Sequence, residues 1–204
     1  MSHYFTSDDG VKSQPHLIEY TISNHTFSLI SDYGVFSQGK LDRGSEALLK
    51  HLISINLSGT ILDLGAGIGV IGITLKTFFP ELKVIMLEIN ERAIKMAKEN
   101  IRRDNLSDIE VRTSDVCSAL RENEKFVAVV TNPPIRAGKT TVYRMFKEGY
   151  DHLFDGGSLF FVMRKSHGAP SAQKFVAELF GNCELVKRDH GYYIFHAVRN
   201  NEQK

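Results

Sequence analysis

Ile61-Leu62-Asp63-Leu64-Gly65-Ala66-Gly67-Ile68-Gly69 is the stretch of sequence that decides the fold. It opens with mostly apolar residues typical of a short buried strand, and it closes with glycine at every second position, which predicts a tight turn. A helix is predicted to follow from Val70 to Phe79, because Pro80 ends it. Glycines in such a turn let a ligand approach the backbone where a side chain would clash. The stretch therefore predicts the strand, loop and helix of an α/β unit, with a ligand at the loop.

Outward from this unit, strand-like and helix-like segments alternate, which is typical of a parallel sheet with helices on both faces. Further strands are predicted at residues 84–88, 109–112, 126–131, 158–163, 184–187 and 192–198, and further helices at 91–105, 141–154 and 171–180. Only a short turn around Asp189-His190-Gly191 separates the last two strands, so they form a hairpin and one of them runs antiparallel to the other strands. The sequence predicts a seven-stranded, mostly parallel sheet with a C-terminal antiparallel hairpin.

Residues 1–58 are predicted to form an N-terminal cap on this core. Segments 17–22 and 27–30 suggest a hairpin around Asn24-His25, residues 32–37 a loop, and residues 45–53 a helix. The chain shows no internal repeat and no obvious linker. We therefore expect a single domain over residues 1–204, with the core at residues 59–204.

Composition sets bounds and excludes several classes of protein. The 204 residues carry a net charge of +1, so the chain is not a general polyanion binder, and any basic surface must be local. No apolar run approaches the ~20 residues of a membrane helix, and the N-terminus lacks a signal-peptide core. Cys117 and Cys183 have no metal-ligand spacing. We expect a cytoplasmic protein with neither a metal site nor a membrane segment.

The glycine loop and the residues around it predict a nucleoside cofactor. Glu88 ends the second strand of the core, where a carboxylate can accept hydrogen bonds from ribose hydroxyls. Val70 stands where a dinucleotide fingerprint has its third glycine, and Asp63 would repel a pyrophosphate but suits the cationic methionine end of S-adenosylmethionine. Asp115 and the Val116 amide follow the third strand and could hold adenine. A dehydrogenase, or a tight turn with no ligand, is the less favoured interpretation.

A second motif, Asn132-Pro133-Pro134-Ile135, follows the apolar strand Phe126–Thr131. Each proline fixes its own backbone and restrains the residue before it. The turn therefore offers two rigid acceptors, the Asn132 Oδ1 atom and the Pro133 carbonyl, which can hold both hydrogens of an –NH₂ group. Ile135 offers an apolar face to a planar ring. The motif predicts chemistry on an exocyclic amine.

Together these motifs resemble the class I S-adenosylmethionine-dependent methyltransferases, which share a Rossmann-like sheet. Within them the chain is similar to the "methyltransferase small" family, and specifically to the catalytic domain of 16S rRNA guanine-N2 methyltransferases. The resemblance covers nearly the whole chain and includes Gly34-Val35-Phe36-Ser37, Asp42-Arg43-Gly44, the run from Asn132 to Lys139, Gly168-Ala169-Pro170-Ser171 and Gly191-Tyr192-Tyr193. It implies transfer of a methyl group to guanine N2, with ribosomal RNA or the small ribosomal subunit as partner.

The resemblance and the residue-level argument assign these roles. The predicted catalytic residues are Asn132, Pro133, Pro134 and Ile135. The predicted cofactor-binding residues are Asp63, Gly65, Ala66, Gly67, Gly69, Glu88, Ile89, Asp115, Val116 and Asn132. The predicted substrate-binding residues are Phe36, Arg136, Lys139 and Lys165. Phe36 is expected to face a target base that has left its stack, and the three basic residues are expected to contact RNA phosphates.

Two departures from the family pattern bear on the substrate. Val127 stands where many relatives have Asp, and we expect this difference to affect local hydrogen bonding and not the chemistry. Known rRNA enzymes of this type also carry a second, degenerate domain ahead of the catalytic one, and this sequence does not include it. Adenine N6 and protein glutamine remain alternative acceptors, and a non-catalytic ribosome-assembly factor that binds the cofactor remains an alternative to an enzyme.

Overall fold

A seven-stranded sheet organises the fold of this computed structural model, which describes residues 12–33, 35 and 40–200. The strand order is β5-β4-β3-β6-β7-β9-β8, and β9 runs antiparallel to both of its neighbours. The strands of this sheet are β3 (Thr60–Leu64), β4 (Lys83–Glu88), β5 (Ile109–Thr113), β6 (Phe126–Thr131), β7 (Leu153–Arg164), β8 (Glu184–Asp189) and β9 (Tyr192–Val198). The predicted class I methyltransferase fold, with its antiparallel C-terminal hairpin, is confirmed.

Helices cover both faces of the sheet, and a separate apolar core lies under each set. They are α1 (Arg43–Leu52), α2 (Val70–Phe78), α3 (Glu91–Arg103), α4 (Lys139–Asp151) and α5 (Ala169–Phe180). Leu48, Ile61 and Ile73 belong to the core on the side of α1, α2 and α3. Phe146 and Phe161 belong to the core on the side of α4 and α5. Successive side chains of the inner strands alternate between the two cores, as a sheet buried on both faces requires.

The N-terminal hairpin consists of β1 (His16–Ile22) and β2 (His25–Ser31), joined by Ser23 and Asn24. Both turn residues have positive φ, 46° and 66°, as a two-residue hairpin turn demands. Asn100, buried on α3, accepts from the Ile30 N–H at 2.7 Å and donates to the Ile30 carbonyl at 3.0 Å. The same amide nitrogen donates to the Ile68 carbonyl at 3.2 Å. The hairpin is thereby joined to the glycine loop.

Strand β7 begins earlier than the sequence pattern predicts. The helix expected over residues 141–154 ends at Asp151, and Leu153 already pairs with Phe126. Gly156 and Gly157 form an irregularity within the strand, because the Gly156 N–H and the Gly157 carbonyl both bond to the backbone of Arg199. The prediction that the helix extends to residue 154 was wrong, since cross-strand partners supply the hydrogen bonds that a helix end would lack.

The carboxyl ends of β3, β4, β5 and β6 lie side by side, because these four neighbouring strands are parallel. The loops that leave them carry the glycine loop, Glu88, the Ser114–Cys117 segment and the Asn132 turn. Ligands of open α/β sheets bind at this edge. No helix within the described part of the chain is long and apolar enough to cross a membrane.

Candidate active site

Two adjoining clefts open at the carboxyl ends of the central strands. They enclose about 410 Å³ and 600 Å³, in part open to solvent, and they share Gly65, Glu88 and Pro134. Among the other predicted residues, Ile89, Asp115 and Val116 line the smaller cleft, and Ala66, Gly67 and Asn132 line the larger one. One elongated ligand could therefore run past Glu88 from the smaller cleft toward Asn132.

Glu88 is held in place by three backbone N–H groups. Its Oε2 atom accepts from Gly67 at 2.8 Å, and its Oε1 atom accepts from Ile89 at 2.8 Å and from Asn90 at 2.9 Å. The residue is only 8 % exposed, yet it lines both clefts. A carboxylate has about four acceptor positions and three of them are filled, so one position on Oε2 remains for a ribose hydroxyl.

Asp63 lies beneath the glycine loop and not at the surface of either cleft. It is 0 % exposed, and its Oδ2 atom accepts from the Gly72 N–H at 2.8 Å, while Oδ1 has no hydrogen-bond partner. Burial raises the pKa of this carboxyl to about 7, against the lowering effect of the Gly72 hydrogen bond. A Cβ atom on Gly72 would stand 3.2 Å from Asp63 Oδ2 and 2.5 Å from the Met86 sulfur, so only glycine fits there. The Asp63 side chain thus faces α2 and lines neither cleft, and its predicted contact with the cofactor stays a prediction.

The segment after β5 forms the far wall of the smaller cleft. Val116 has φ of 52°, a costly conformation for a β-branched residue, and no described residue accepts its N–H. Asp115 is half-exposed and pairs with Arg144 at 2.5 Å. Glu148, which also binds Arg144, accepts from the Cys117 N–H at 2.9 Å. These contacts hold the strained segment with a free donor at the cleft.

The side chain of Asn132 is hydrogen-bonded to the start of α1. Its Nδ2 atom donates to Asp42 Oδ2 at 2.7 Å and to Ser45 Oγ at 3.0 Å. No described residue donates to Asn132 Oδ1 or to the Pro133 carbonyl. The Asn132 Oδ1 atom is therefore an available acceptor beside the larger cleft, which Asn132, Asp42 and Ser45 line together.

The start of α1 packs tightly against the C-terminal hairpin. A Cβ atom on Gly44 would stand 2.9 Å from Asp42 Oδ2 and 3.1 Å from the ring of Tyr192. Glycine is thus required between the capping aspartate and the aromatic ring. Arg164 stands over the same ring, 5.9 Å from its centroid.

The remaining predicted residues lie around the clefts and do not line them. Pro133 is buried, Gly69 caps α2, and Ile135 is 36 % exposed in a short 3₁₀ turn. The basic residues of the predicted RNA contact are all exposed: Arg136, Lys139 and Lys165. Phe36 lies outside the described residues.

Sequence reasoning missed several residues that line the clefts. The most important are Asp42 and Ser45, and the others include Leu41, Ile68, Ile71, Ala137, Thr141 and Met145. The Asp42-x-x-Ser45 spacing is a helix-cap signal. It could have located the start of α1, but not the contact with Asn132.

The model of the Methyltransferase small domain matches residues 26–196 of the chain. The chain belongs to this family. The cofactor predicted from the sequence, S-adenosylmethionine, is that of the family, and so is the class I fold.

Two relatives of this methyltransferase differ in how much of their length it spans. The uncharacterized protein YbxB of Bacillus subtilis (strain 168) is 36 % identical over 197 residues, which are 97 % of this chain and 98 % of the relative. The ribosomal RNA small subunit methyltransferase C of Aliivibrio fischeri (strain MJ11) is 35 % identical over 187 residues, which are 89 % of this chain and 53 % of the relative. The chain thus spans about half the length of that rRNA methyltransferase.

A solved structure shares the fold of this methyltransferase. It is a Thermus thermophilus 16S rRNA guanine-N2 methyltransferase in complex with AdoMet and guanosine, with a TM-score of 0.82 and 24 % sequence identity. The alignment covers 93 % of this chain and 52 % of the Thermus chain.

The side chains around the two clefts suit the charge of S-adenosylmethionine. Asp42, Glu88 and Asp115 line them, and among the described residues no Lys, Arg or His does. An anionic pyrophosphate would face three carboxylates there, whereas a ligand with an ammonium and a sulfonium group is attracted by them.

Proposed function

We propose that this protein transfers the methyl group of S-adenosylmethionine to an exocyclic amine, and that the amine is N2 of a guanine in small-subunit rRNA. The observation that carries the proposal is the saturated amide nitrogen of Asn132. Because Asp42 and Ser45 accept both of its hydrogens, Oδ1 is left as an acceptor beside the larger cleft.

In the proposed reaction, Asn132 Oδ1 and the Pro133 carbonyl each accept one N–H of the target amine. The lone pair of guanine N2 is delocalised into the ring, so the amine is a poor nucleophile until its two hydrogens are held out of the ring plane. Bound S-adenosylmethionine supplies an electrophilic methyl group on a sulfonium. Positioning and electrostatic stabilisation by the two oxygens then lower the barrier.

The chain's own groups also handle the charge and the proton. The amine nitrogen becomes positive as it forms its new bond, and two carbonyl dipoles point their negative ends at it. Once the bond has formed, the nitrogen is acidic enough to release a proton to water, so no strong base is required. A base in a folded rRNA must leave its stack to enter the cleft.

The guanine and rRNA parts of the proposal rest on the relatives. Ribosomal RNA small subunit methyltransferase C is the name of a relative with 35 % identity, and the Thermus structure of similar fold contains guanosine. Arg136 and Lys139 lie on the loop after the catalytic turn and are exposed, so they are available to RNA phosphates.

Incubation with isotopically labelled S-adenosylmethionine tests the proposal, with naked 16S rRNA and assembled small subunits as separate acceptors. Nucleosides and proteins are then digested and analysed by mass spectrometry, and the Asn132→Ala variant is the control. N2-methylguanosine in rRNA is the expected product. N6-methyladenosine or methylglutamine would retain amine methylation and refute guanine. Cofactor binding without transfer to any acceptor would favour an assembly factor. Loss of the same modified nucleoside from rRNA of cells lacking the protein identifies the nucleotide.

A further inference from the structure

Asp42 and Ser45 determine which way the Asn132 amide group faces. A carboxylate oxygen can only accept a hydrogen bond, so the amide atom 2.7 Å from Asp42 Oδ2 must be the nitrogen. The second amide hydrogen goes to Ser45 Oγ at 3.0 Å. A flipped amide would place Oδ1 against the Asp42 carboxylate and leave the nitrogen at the cleft, where it could donate but not accept.

The same carboxylate oxygen fixes the start of α1. Asp42 Oδ2 accepts from the Ser45 N–H at 2.9 Å, and the Asp42 carbonyl accepts from the Glu46 N–H at 2.9 Å. Asp42 therefore has two structural partners: the first turn of α1 and the side chain of Asn132, which lies 90 residues from Asp42 in the sequence. A helix cap alone needs only the first of these.

We propose that Asp42 is a positioning residue for catalysis, and that together with Ser45 it holds Asn132 Oδ1 toward the target amine and increases its negative charge. The inference rests on the proposed amine methylation. The negative charge of Asp42 beside the Asn132 amide nitrogen polarises the amide group and makes Oδ1 more negative, because hydrogen bonds in a chain strengthen one another. The added negative charge on Oδ1 counts most when the target nitrogen turns positive, so Asp42 contributes to kcat more than to KM.

Three substitutions separate the functions of this pair. Asp42→Ser keeps a good N-cap but is too short to reach Asn132. Asp42→Asn keeps the cap and an acceptor but loses the charge. Ser45→Ala removes the hydroxyl acceptor and leaves a good helix former. Glu46→Ala is the matched control, because Glu46 lies next to Ser45 on α1 and its side chain pairs with Lys50.

The expected result is a loss of kcat by about 10- to 100-fold in Asp42→Ser, by analogy with the loss seen when hydrogen-bond partners of metal ligands are removed. Smaller losses are expected in Asp42→Asn and Ser45→Ala, with KM for both substrates little changed. In an Asn132→Ala background, Asp42→Ser should cause no further loss, because the residue through which it acts is gone. An equal loss in both backgrounds, or unchanged kcat in Asp42→Ser, would overturn the inference.

A spectroscopic measurement tests the same contact without cofactor or RNA. The side-chain ¹⁵N–H₂ signals of Asn132, assigned by their loss in Asn132→Ala, should move upfield in Asp42→Ser and stay in place in Glu46→Ala. Signals that do not move in Asp42→Ser would refute the positioning contact. If instead the signals move but Asn132→Ala methylates at the normal rate, the proposed reaction is refuted. The contact between Asp42 and Asn132 would then exist but have no role in catalysis. The two failures are therefore distinguishable.

Discussion

The hydroxyl group of Thr131 donates a hydrogen bond of 2.7 Å to the carbonyl oxygen of Leu64. Thr131 is the last residue of β6 and Leu64 the last residue of β3, and both are buried between these two paired strands. The bond joins the residue before the Asn132 turn to the residue before the glycine loop. It fixes the separation between the acceptor pair and the loop.

Thr131→Val should lower both stability and turnover. Valine has the same shape but leaves the buried Leu64 carbonyl without its donor, at a cost of about 1–3 kcal/mol in the free energy of unfolding. Urea denaturation and kcat measure the two effects. Thr21→Val is the control, because Thr21 bonds Thr26 on the exposed side of the hairpin and should change stability by no more than about 0.5 kcal/mol. Equal effects of the two substitutions would contradict this prediction.

Glu88→Ala should weaken S-adenosylmethionine binding by about 1.5–3 kcal/mol, because it removes a charged acceptor for a ribose hydroxyl. Isothermal titration calorimetry of the cofactor measures the change. Glu91→Ala, an exposed carboxylate in the first turn of α3, is the control and should leave the affinity near its original value. Unchanged affinity in Glu88→Ala would exclude the predicted ribose contact.

Asp63→Asn should change how stability depends on pH. The unfolded carboxyl titrates near 3.8, and burial raises the pKa of Asp63 to about 7 in the folded chain. Between these values the folded state binds more protons, so the contribution of Asp63 to the free energy of unfolding falls as pH rises from about 4 to 7. Each unit of the pKa difference corresponds to about 1.4 kcal/mol.

An asparagine at this position does not titrate and loses that contribution. The difference in unfolding free energy, variant minus wild type, should rise between about pH 4 and 7 and stay level above pH 7. Thermal and urea unfolding at several pH values measure it without ligand. Parallel curves for the two proteins would show that Asp63 does not titrate in this window.

Asn132→Asp should inactivate the protein at pH 8 about as much as Asn132→Ala, by roughly 10²–10³ in rate. The new carboxylate would lie against Asp42, which would lose the N–H that Asn132 donates, and two carboxylates this close do not both ionise without cost. One of them should therefore take up a proton as pH falls, and stability relative to wild type should recover. Single-turnover methyl transfer and unfolding at pH 8 and pH 5.5 test this. A stable, fast variant at pH 8 would contradict the contact with Asp42.

Replacement of Arg136 and Lys139 by alanine should raise the apparent KM for RNA and reduce its salt dependence. The slope of log affinity against log salt should fall by roughly 0.7–0.9 for each lost phosphate contact. Cofactor affinity should not change. The charge-matched control replaces Arg102 and Arg103, which lie in the last turn of α3, and should leave the salt slope unaltered. The same slope in both double variants would place these two basic residues outside the RNA contact.

Much of the fold could be predicted from local sequence, because periodicity and turn residues report on local backbone structure. The β8–β9 hairpin shows this, since His190 and Gly191 both adopt the positive φ that a two-residue turn requires. The start of β7 could not be predicted, because Leu153 takes its conformation from pairing with Phe126. Tertiary pairing there outweighed the helical pattern.

In the candidate site, too, some features could be predicted from local sequence and others depend on tertiary contacts. Glu88 ends one predicted strand and Asn132 follows another, so a parallel sheet places both residues at the same edge. The orientation of Asp63 was missed, because its position beside a glycine loop says nothing about which face of β3 it occupies. Asp42 was recognised only as part of a motif, since no local pattern reports a partner at residue 132.

The amide of Asn100 bonds both the N-terminal hairpin and the glycine loop, so we expect the stabilities of these two segments to be coupled. A ligand that restricts the loop also removes freedom from β2, and hydrogen exchange of the Ile30 amide should slow when the clefts fill. Linkage is reciprocal, so whatever loosens the hairpin weakens ligand binding by the same free energy. We therefore expect substitutions that loosen this two-stranded ribbon to lower cofactor affinity, although it lies outside both clefts.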